Sequence, residues 1–148
     1  MKKNDVKELI DELAGFCKDH GARFTPSRRL TLEIIARHER PIGAYDVIEE
    51  MGRITDKPKP TTVYRSLEFL QAHGFIHKIE SLSAFTACHA GHSHEGSQFI
   101  VCNDCGTVEE VHVCHLPQTL QKKVEETGFK MAHWNTEIHG TCLRCQET

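Results

Sequence analysis

The sequence has no run approaching the ~18 apolar residues that would span a bilayer, and its opening, MKKNDVKELIDEL, has no apolar stretch of the kind a secretion signal carries. A cytoplasmic protein without membrane association is expected. Aromatic residues are few, 7% of 148 with a single Trp, and neither sign of charge dominates: 18 Lys and Arg stand against 21 Asp and Glu, for a net charge of -3. Nothing in that total advertises a polyanionic partner. What is present is enough for one ordinary core or two small ones, since 39% of residues are hydrophobic and 26% charged, which excludes disordered and fibrous chains.

The totals conceal a division. Residues 1–80 carry 14 Lys and Arg against 13 Asp and Glu, whereas residues 81–148 carry 4 against 8. Six of the 7 Cys lie between Cys88 and Cys145, and 9 of the 11 His between His73 and His139, so the soft-metal ligands are concentrated in the second half. In a reducing compartment, clustered Cys and His indicate metal chemistry rather than a disulfide framework.

In the first half, Val6, Leu9, Ile10, Leu13, Phe16 and Cys17 lay one apolar stripe along a helix from about Asn4 to His20, stopped by Gly21. Cys17, on that stripe, reads as a small buried hydrophobe. Thr25 and Pro26 form a helix-start signal, followed by Leu30, Ile34 and Ile35 as the buried face up to Pro41. Ala44, Val47, Ile48 and Met51 predict a third helix with Gly52 as a left-handed stop. A fourth should begin at Thr61, bury Val63, Leu67 and Leu70, show Thr61, Thr62, Arg65, Ser66 and Glu68 on its other side, and end at Gly74. Residues 75–79 and 84–87 flank a polar turn and read as a hairpin. Helices followed by such a hairpin fit a winged helix-turn-helix, with the fourth helix able to enter a major groove. A solvated helix face would show the same residues.

Cys102-Asn103-Asp104-Cys105 and Cys142-Leu143-Arg144-Cys145 are two C-x2-C knuckles separated by 36 residues. Two residues between thiolates let both sulfurs of a tight turn face one ion, and two such turns supply the four ligands of tetrahedral zinc. A thioredoxin-like context and ferredoxin spacing are both missing. Between the knuckles, residues 107–113 predict a strand, and 117–126 a helix with Leu116, Leu120 and Val124 inward, ending at Gly128. Ala132, Trp134, Thr136 and Ile138 predict a last strand. With Gln98 to Val101 these give a three-stranded sheet and one helix. So small a unit is expected to be completed by zinc and by a second subunit.

Cys88 to His94 offers one thiol and the imidazoles of His89, His92 and His94 in seven residues, with no periodicity that would bury them. A ligand role is expected, though no single ligand is fixed. Glu110 or His77 could complete a set of four; taken singly, each reads more readily as an ordinary residue, Glu110 solvated on its strand and His77 polar on the wing. His112, His115, His133, His139 and Cys114 fall into no grouping.

Ala44-Tyr45-Asp46, the stretch from Pro60 through Thr61, Thr62, Val63, Tyr64 and Arg65 to Leu67, Gly74-Phe75-Ile76-His77-Lys78 and the paired knuckles together resemble the ferric-uptake-regulator superfamily, from about Ala22 to Cys145. Within it the zinc-uptake branch is most similar, because His77 follows Gly-Phe-Ile and Cys88 precedes a His-rich segment. The resemblance implies an α+β chain: an N-terminal winged helix-turn-helix followed by a small α/β dimerisation domain with a four-cysteine zinc site. The expected divisions are 1–82 for DNA binding, 83–88 as a hinge, and 89–148 for dimerisation and metal binding. It implies a homodimeric repressor that binds operator DNA when zinc-loaded and silences zinc-uptake genes, with two zinc ions per subunit and no small-molecule substrate. Structural zinc would take Cys102, Cys105, Cys142 and Cys145. Regulatory zinc would take His77, Cys88, His94 and Glu110, with His92 the alternative to His94. Tyr45 and Arg65 would read bases, Tyr64 would meet a thymine methyl or a phosphate, Thr61 and Thr62 would hold phosphates, and Arg23 would contact a groove or the backbone.

A regulatory set with a thiolate, two imidazoles and one carboxylate is partly soft and favours zinc over iron or manganese. An iron- or peroxide-sensing repressor of the same superfamily is the nearest alternative. A zinc enzyme is more distant: there is no H-E-x-x-H, Val101 rather than Pro precedes Cys102, and four protein ligands leave no position for water. A zinc-stapled interaction module without DNA contact is the third reading.

Overall fold

The structure, a computed structural model describing residues 3–88, 96–111 and 115–148, divides into two units, Met1–His92 and Ser93–Thr148. In the first, α1 (Lys3–Asp19) forms where the apolar stripe predicts, with Val6, Leu9, Leu13 and Cys17 buried and Ile10 and Phe16 partly so. α2 (Pro26–Arg37) starts at the expected cap: the Thr25 hydroxyl accepts from the Arg28 N–H at 3.2 Å, and Pro26 takes the first position. Its interior face is Leu32, Ile34, Ile35 and Ala36 together with Thr31, while Leu30 is only half-buried.

α3 (Ala44–Ile54) corrects one expectation. Gly52 lies inside the helix rather than ending it; the end is at Thr55, whose N–H and hydroxyl both donate to the Met51 carbonyl, at 2.8 and 3.2 Å. α4 (Pro60–Ala72) begins one residue earlier than expected. It closes at Gly74, where φ is +76°, with the Phe75 N–H donating to Leu70 O at 2.9 Å and the Gly74 N–H to Gln71 O at 3.2 Å. These paired bonds satisfy carbonyls a helix end leaves open, and they need the left-handed residue that only glycine adopts freely. Ser66 is a second correction: expected on the polar outer side, it is 3% exposed.

The hairpin is present as β2 (Ile76–Ile79) and β3 (Ala84–Ala87), joined by a 3-10 turn over Glu80–Leu82. β3 occupies 84–87 of the segment expected as a hinge. A further strand, β1 (Ile42–Gly43), pairs with β3 and gives an antiparallel sheet ordered β1-β3-β2. Two residues are too few to display alternation, so the sequence pattern does not reveal β1. Leu13, Leu32, Val47, Val63, Leu70 and Ile76 are fully enclosed in the common core; each such side chain contributes about 1.5–3 kcal/mol from burial.

The second unit is built on β4 (Gly96–Cys102), flanked by β5 (Val108–Glu110) antiparallel and β6 (Trp134–Gly140) parallel. β4 is longer than expected; of the strand expected over 107–113, β5 takes 108–110, and 112 and 113 lie outside the described residues. α5 (Gln118–Glu126) and a short α6 (Leu143–Gln146) complete it. Phe99, Val101, Leu116 and Trp134 are buried. Leu120, expected inward, is instead 48% exposed, and Ile138, on the last strand, is 58% exposed. Periodicity locates an apolar stripe but does not say what covers it.

Candidate functional site

The two knuckles converge. β4 delivers Cys102 at its end and a tight turn follows, closed by the Gly106 N–H on Cys102 O at 2.9 Å; β6 leads to Cys142 at the start of α6, with the Cys145 N–H on Cys142 O at 2.9 Å. Parallel pairing of β4 with β6 sets the two turns side by side, and the Asn103 N–H bonds Gly140 O at 2.8 Å between them. The four sulfurs lie within 4.8 Å of one another, and Cys105 Sγ is 3.8 Å from Cys142 Sγ. Four sulfurs at about 2.3 Å from a tetrahedral ion would stand about 3.8 Å apart, so donor type, number and spacing fit zinc. None of the four is in a disulfide.

The surroundings prepare the thiols as ligands. The Thr107 hydroxyl, 3.1 Å from Cys105 Sγ, is the main cause that lowers the Cys105 thiol to about 5. The Cys142 N–H donates to Cys102 Sγ at 3.3 Å and lowers that thiol as well. Cys145, whose chief neighbour is Cys142, is pushed up to about 12, because closely spaced sulfurs cannot all ionise without a cation among them. Arg144 is raised by its hydrogen bond and charge interaction with Cys105. Thr107 and Arg144 are functional neighbours that the C-x2-C spacing does not reveal. Their only sequence signal is adjacency to a knuckle.

In the first unit, His77 lies on β2 opposite Thr86, and Cys88 follows β3 with its N–H on Phe75 O at 2.9 Å. This register brings a ring nitrogen of His77 and the buried Cys88 sulfur within 4.8 Å. Glu110 ends β5 in the second unit, opposite Phe99. His92 and His94 lie outside the described residues, as do His89, His112 and Cys114.

The expected DNA-contact residues all lie at the surface of the first unit. Thr61, Thr62, Tyr64 and Arg65 share the exposed side of α4, opposite Val63, Leu67 and Leu70; Tyr45 stands at the start of α3 with 76% exposure; Arg23 is exposed before α2. Hydroxyls, phenols and guanidinium groups on one exposed helix side can reach phosphates and base edges together.

A helical unit closed by a small antiparallel sheet, followed by a sheet whose ends carry a four-cysteine site, defines a winged-helix regulator whose second unit has a site that fits zinc. The sequence profile of the Ferric uptake regulator family matches residues 19–139, and the chain belongs to that family. It is therefore placed among metal-responsive transcription regulators. It is 32% identical to the zinc uptake regulation protein of Escherichia coli, over 99% of this chain and 86% of that one. It is 26% identical to the peroxide operon regulator of Bacillus subtilis, over 99% and 97%. Among solved structures, a zinc uptake regulator complexed with zinc and DNA superposes with a TM-score of 0.86 at 31% identity, covering 96% of this chain and 95% of that one.

Proposed function

We propose that the chain is a zinc-responsive repressor that binds operator DNA as a cytoplasmic homodimer when zinc-loaded and silences zinc-uptake genes. The observation that carries this reading is the His77–Cys88 pair, in which an imidazole nitrogen on β2 and the sulfur of Cys88, just past β3, come within 4.8 Å. A mixed nitrogen and sulfur pair suits zinc, whereas iron and manganese sites lean on imidazole and carboxylate. His77 and Cys88 would be the first two ligands of a regulatory zinc, with His94 and Glu110 the others. Cys102, Cys105, Cys142 and Cys145 would hold a second, structural zinc, making two per subunit. Arg23, Tyr45, Thr61, Thr62, Tyr64 and Arg65 would meet the operator.

Homodimerisation is supported by Ile100 and Ile138, which are register neighbours on the outer face of the second sheet and are 43% and 58% exposed. In a dimer the two α4 helices would address half-sites about one DNA turn, ~34 Å, apart. Coupling is reciprocal: whatever factor zinc adds to operator affinity, the operator adds to zinc affinity, and tenfold is only ~1.4 kcal/mol. The test is operator binding titrated against buffered free zinc and, separately, ferrous ion, with metal content measured on untagged protein. Zinc should switch binding on at lower free concentration than iron relative to cellular supply. A switch that answers to iron, or to peroxide after iron loading, would instead identify an iron- or peroxide-sensing repressor.

A further inference from the structure

We propose that Arg28, on α2, is a positioning residue for DNA recognition: with Ser27 it fixes the set of α4 and holds the Arg23 segment beside it, without itself touching DNA. The inference rests on the operator-binding reading above. Ser66 is buried on α4 directly after Arg65. Its single hydroxyl proton goes to the Thr62 carbonyl at 3.0 Å, so the Ser27 hydroxyl, 2.9 Å away, donates to Ser66 Oγ. This chain runs from α2 into the turn of α4 that carries Thr62 and Arg65.

One tie would leave α4 free to pivot. The second lies almost one turn further along, where the Arg28 guanidinium stands 3.6 Å over the ring of Phe69. Phe69 is itself held edge-on by Phe16 at 6.3 Å and against His73 at 4.6 Å. The same guanidinium donates through Nη1 to the Arg23 carbonyl at 2.5 Å. A planar, multiply donating cation can stack on a ring and donate in its own plane at once, which an ammonium cannot. Arg28 thus joins the Arg23 segment and α4 into one presenting surface. Its half-burial, beside an exposed Arg29, accords with an inward task.

The test uses zinc-loaded full-length protein and two duplexes: the sequence the parent selects from a random library, and a scrambled duplex of equal composition. Arg28→Lys should lower the affinity ratio between them about tenfold with little change on the scrambled duplex, and Ser66→Ala should act the same way. Arg28→Met should match Arg28→Lys and leave the slope of log affinity against log salt unchanged, because no phosphate contact is lost. A slope reduced by about one in Arg28→Met, with both duplexes weakened alike, would show that Arg28 touches a phosphate and overturn the proposal. So would a parental affinity ratio in Arg28→Lys, which keeps the charge and is the variant that decides if Arg28→Met fails to fold. A parent that selects no sequence at any zinc level would remove the operator-binding reading itself, and the positioning role with it.

Discussion

The indole of Trp134 lies across Gly96 where β4 and β6 begin their parallel pairing, so that a Cβ on Gly96 would stand 2.1 Å from Trp134 Cε2. Gly96 is there because the ring needs the space, and the ring closes that end of the sheet as a buried lid, 9% exposed. Gly96→Ala must displace the only Trp in the chain or part the strands. It is expected to destabilise the second unit by about 1–3 kcal/mol. Urea unfolding followed by Trp fluorescence would measure this, and unchanged stability together with an unchanged emission maximum would show the contact to be dispensable.

The four-cysteine cluster leads to a prediction about folding. Replacing Cys102 by Ser, or stripping zinc with a strong chelator, should unfold the second unit while the first keeps its own core, because structural zinc sites supply folding free energy directly. Hydrogen exchange mapped along the chain should lose protection in β4, β5 and β6 and retain it in α1, α2 and α4. Protection unchanged in all six would mean that the sheet stands without its ion.

Acid should release zinc from the four-cysteine site, with Thr107 setting how readily. Cys105 is held at about 5 when folded, chiefly by Thr107, against an ordinary value of 9.0. A depressed value means that the contribution of its thiolate is complete above 9 and lost as pH falls to about 5. Cys145, at about 12, has the opposite sign and matters only above its ordinary 9.0. Protons compete with zinc for these sulfurs, so zinc should be held near neutral pH and lost on acidification, and Thr107→Val, which removes the hydroxyl that favours the Cys105 thiolate, should move that release to higher pH. A chromophoric chelator across a pH series would follow it.

Cys88→Ser separates the two proposed zinc sites. It should abolish zinc-dependent operator binding while leaving a folded dimer that still carries the zinc of the paired knuckles. Gel shifts at buffered zinc, read beside metal content and sedimentation, test all three statements. Parental DNA binding by the variant would remove Cys88 from the regulatory set.

Ile138→Asp places a charge beside Ile100 on the outer face of the second sheet. If this face joins two subunits, sedimentation equilibrium should show a shift toward monomer, with the dimer dissociation constant raised about a hundredfold or more, since burying an unpaired carboxylate costs several kcal/mol. A dimer unchanged in strength would place the interface elsewhere.

The four helices of the first unit are legible in the sequence because each has an apolar period, and three carry a true end signal: Gly21 for α1, Thr25 with Pro26 for α2, and Gly74 for α4. Gly52 misleads for the same reason, since a glycine near a helix end looks like a stop until the bonds from Thr55 to Met51 are seen. Ser66 reads as a surface residue because its partner, Ser27, is 39 positions away, and no local pattern records such a meeting. Spacing alone identifies the four knuckle cysteines. It does not identify Thr107 or Arg28, whose roles depend on where a hydroxyl or a guanidinium ends up in space. The exposure of Leu120 and Ile138 depends on what lies outside a single chain.

β4 and β6 run in the same direction, so no hairpin can zip them together, and although β4 can pair early with β5 across the first knuckle, the long connection must close before β6 gains a partner. A newly made chain can thus pass through a period in which its first half is shaped and its second is still searching, with four thiols unclaimed. How much finished regulator accumulates would then depend on how quickly metal reaches nascent chains, a supply effect distinct from any later occupancy of a sensing site.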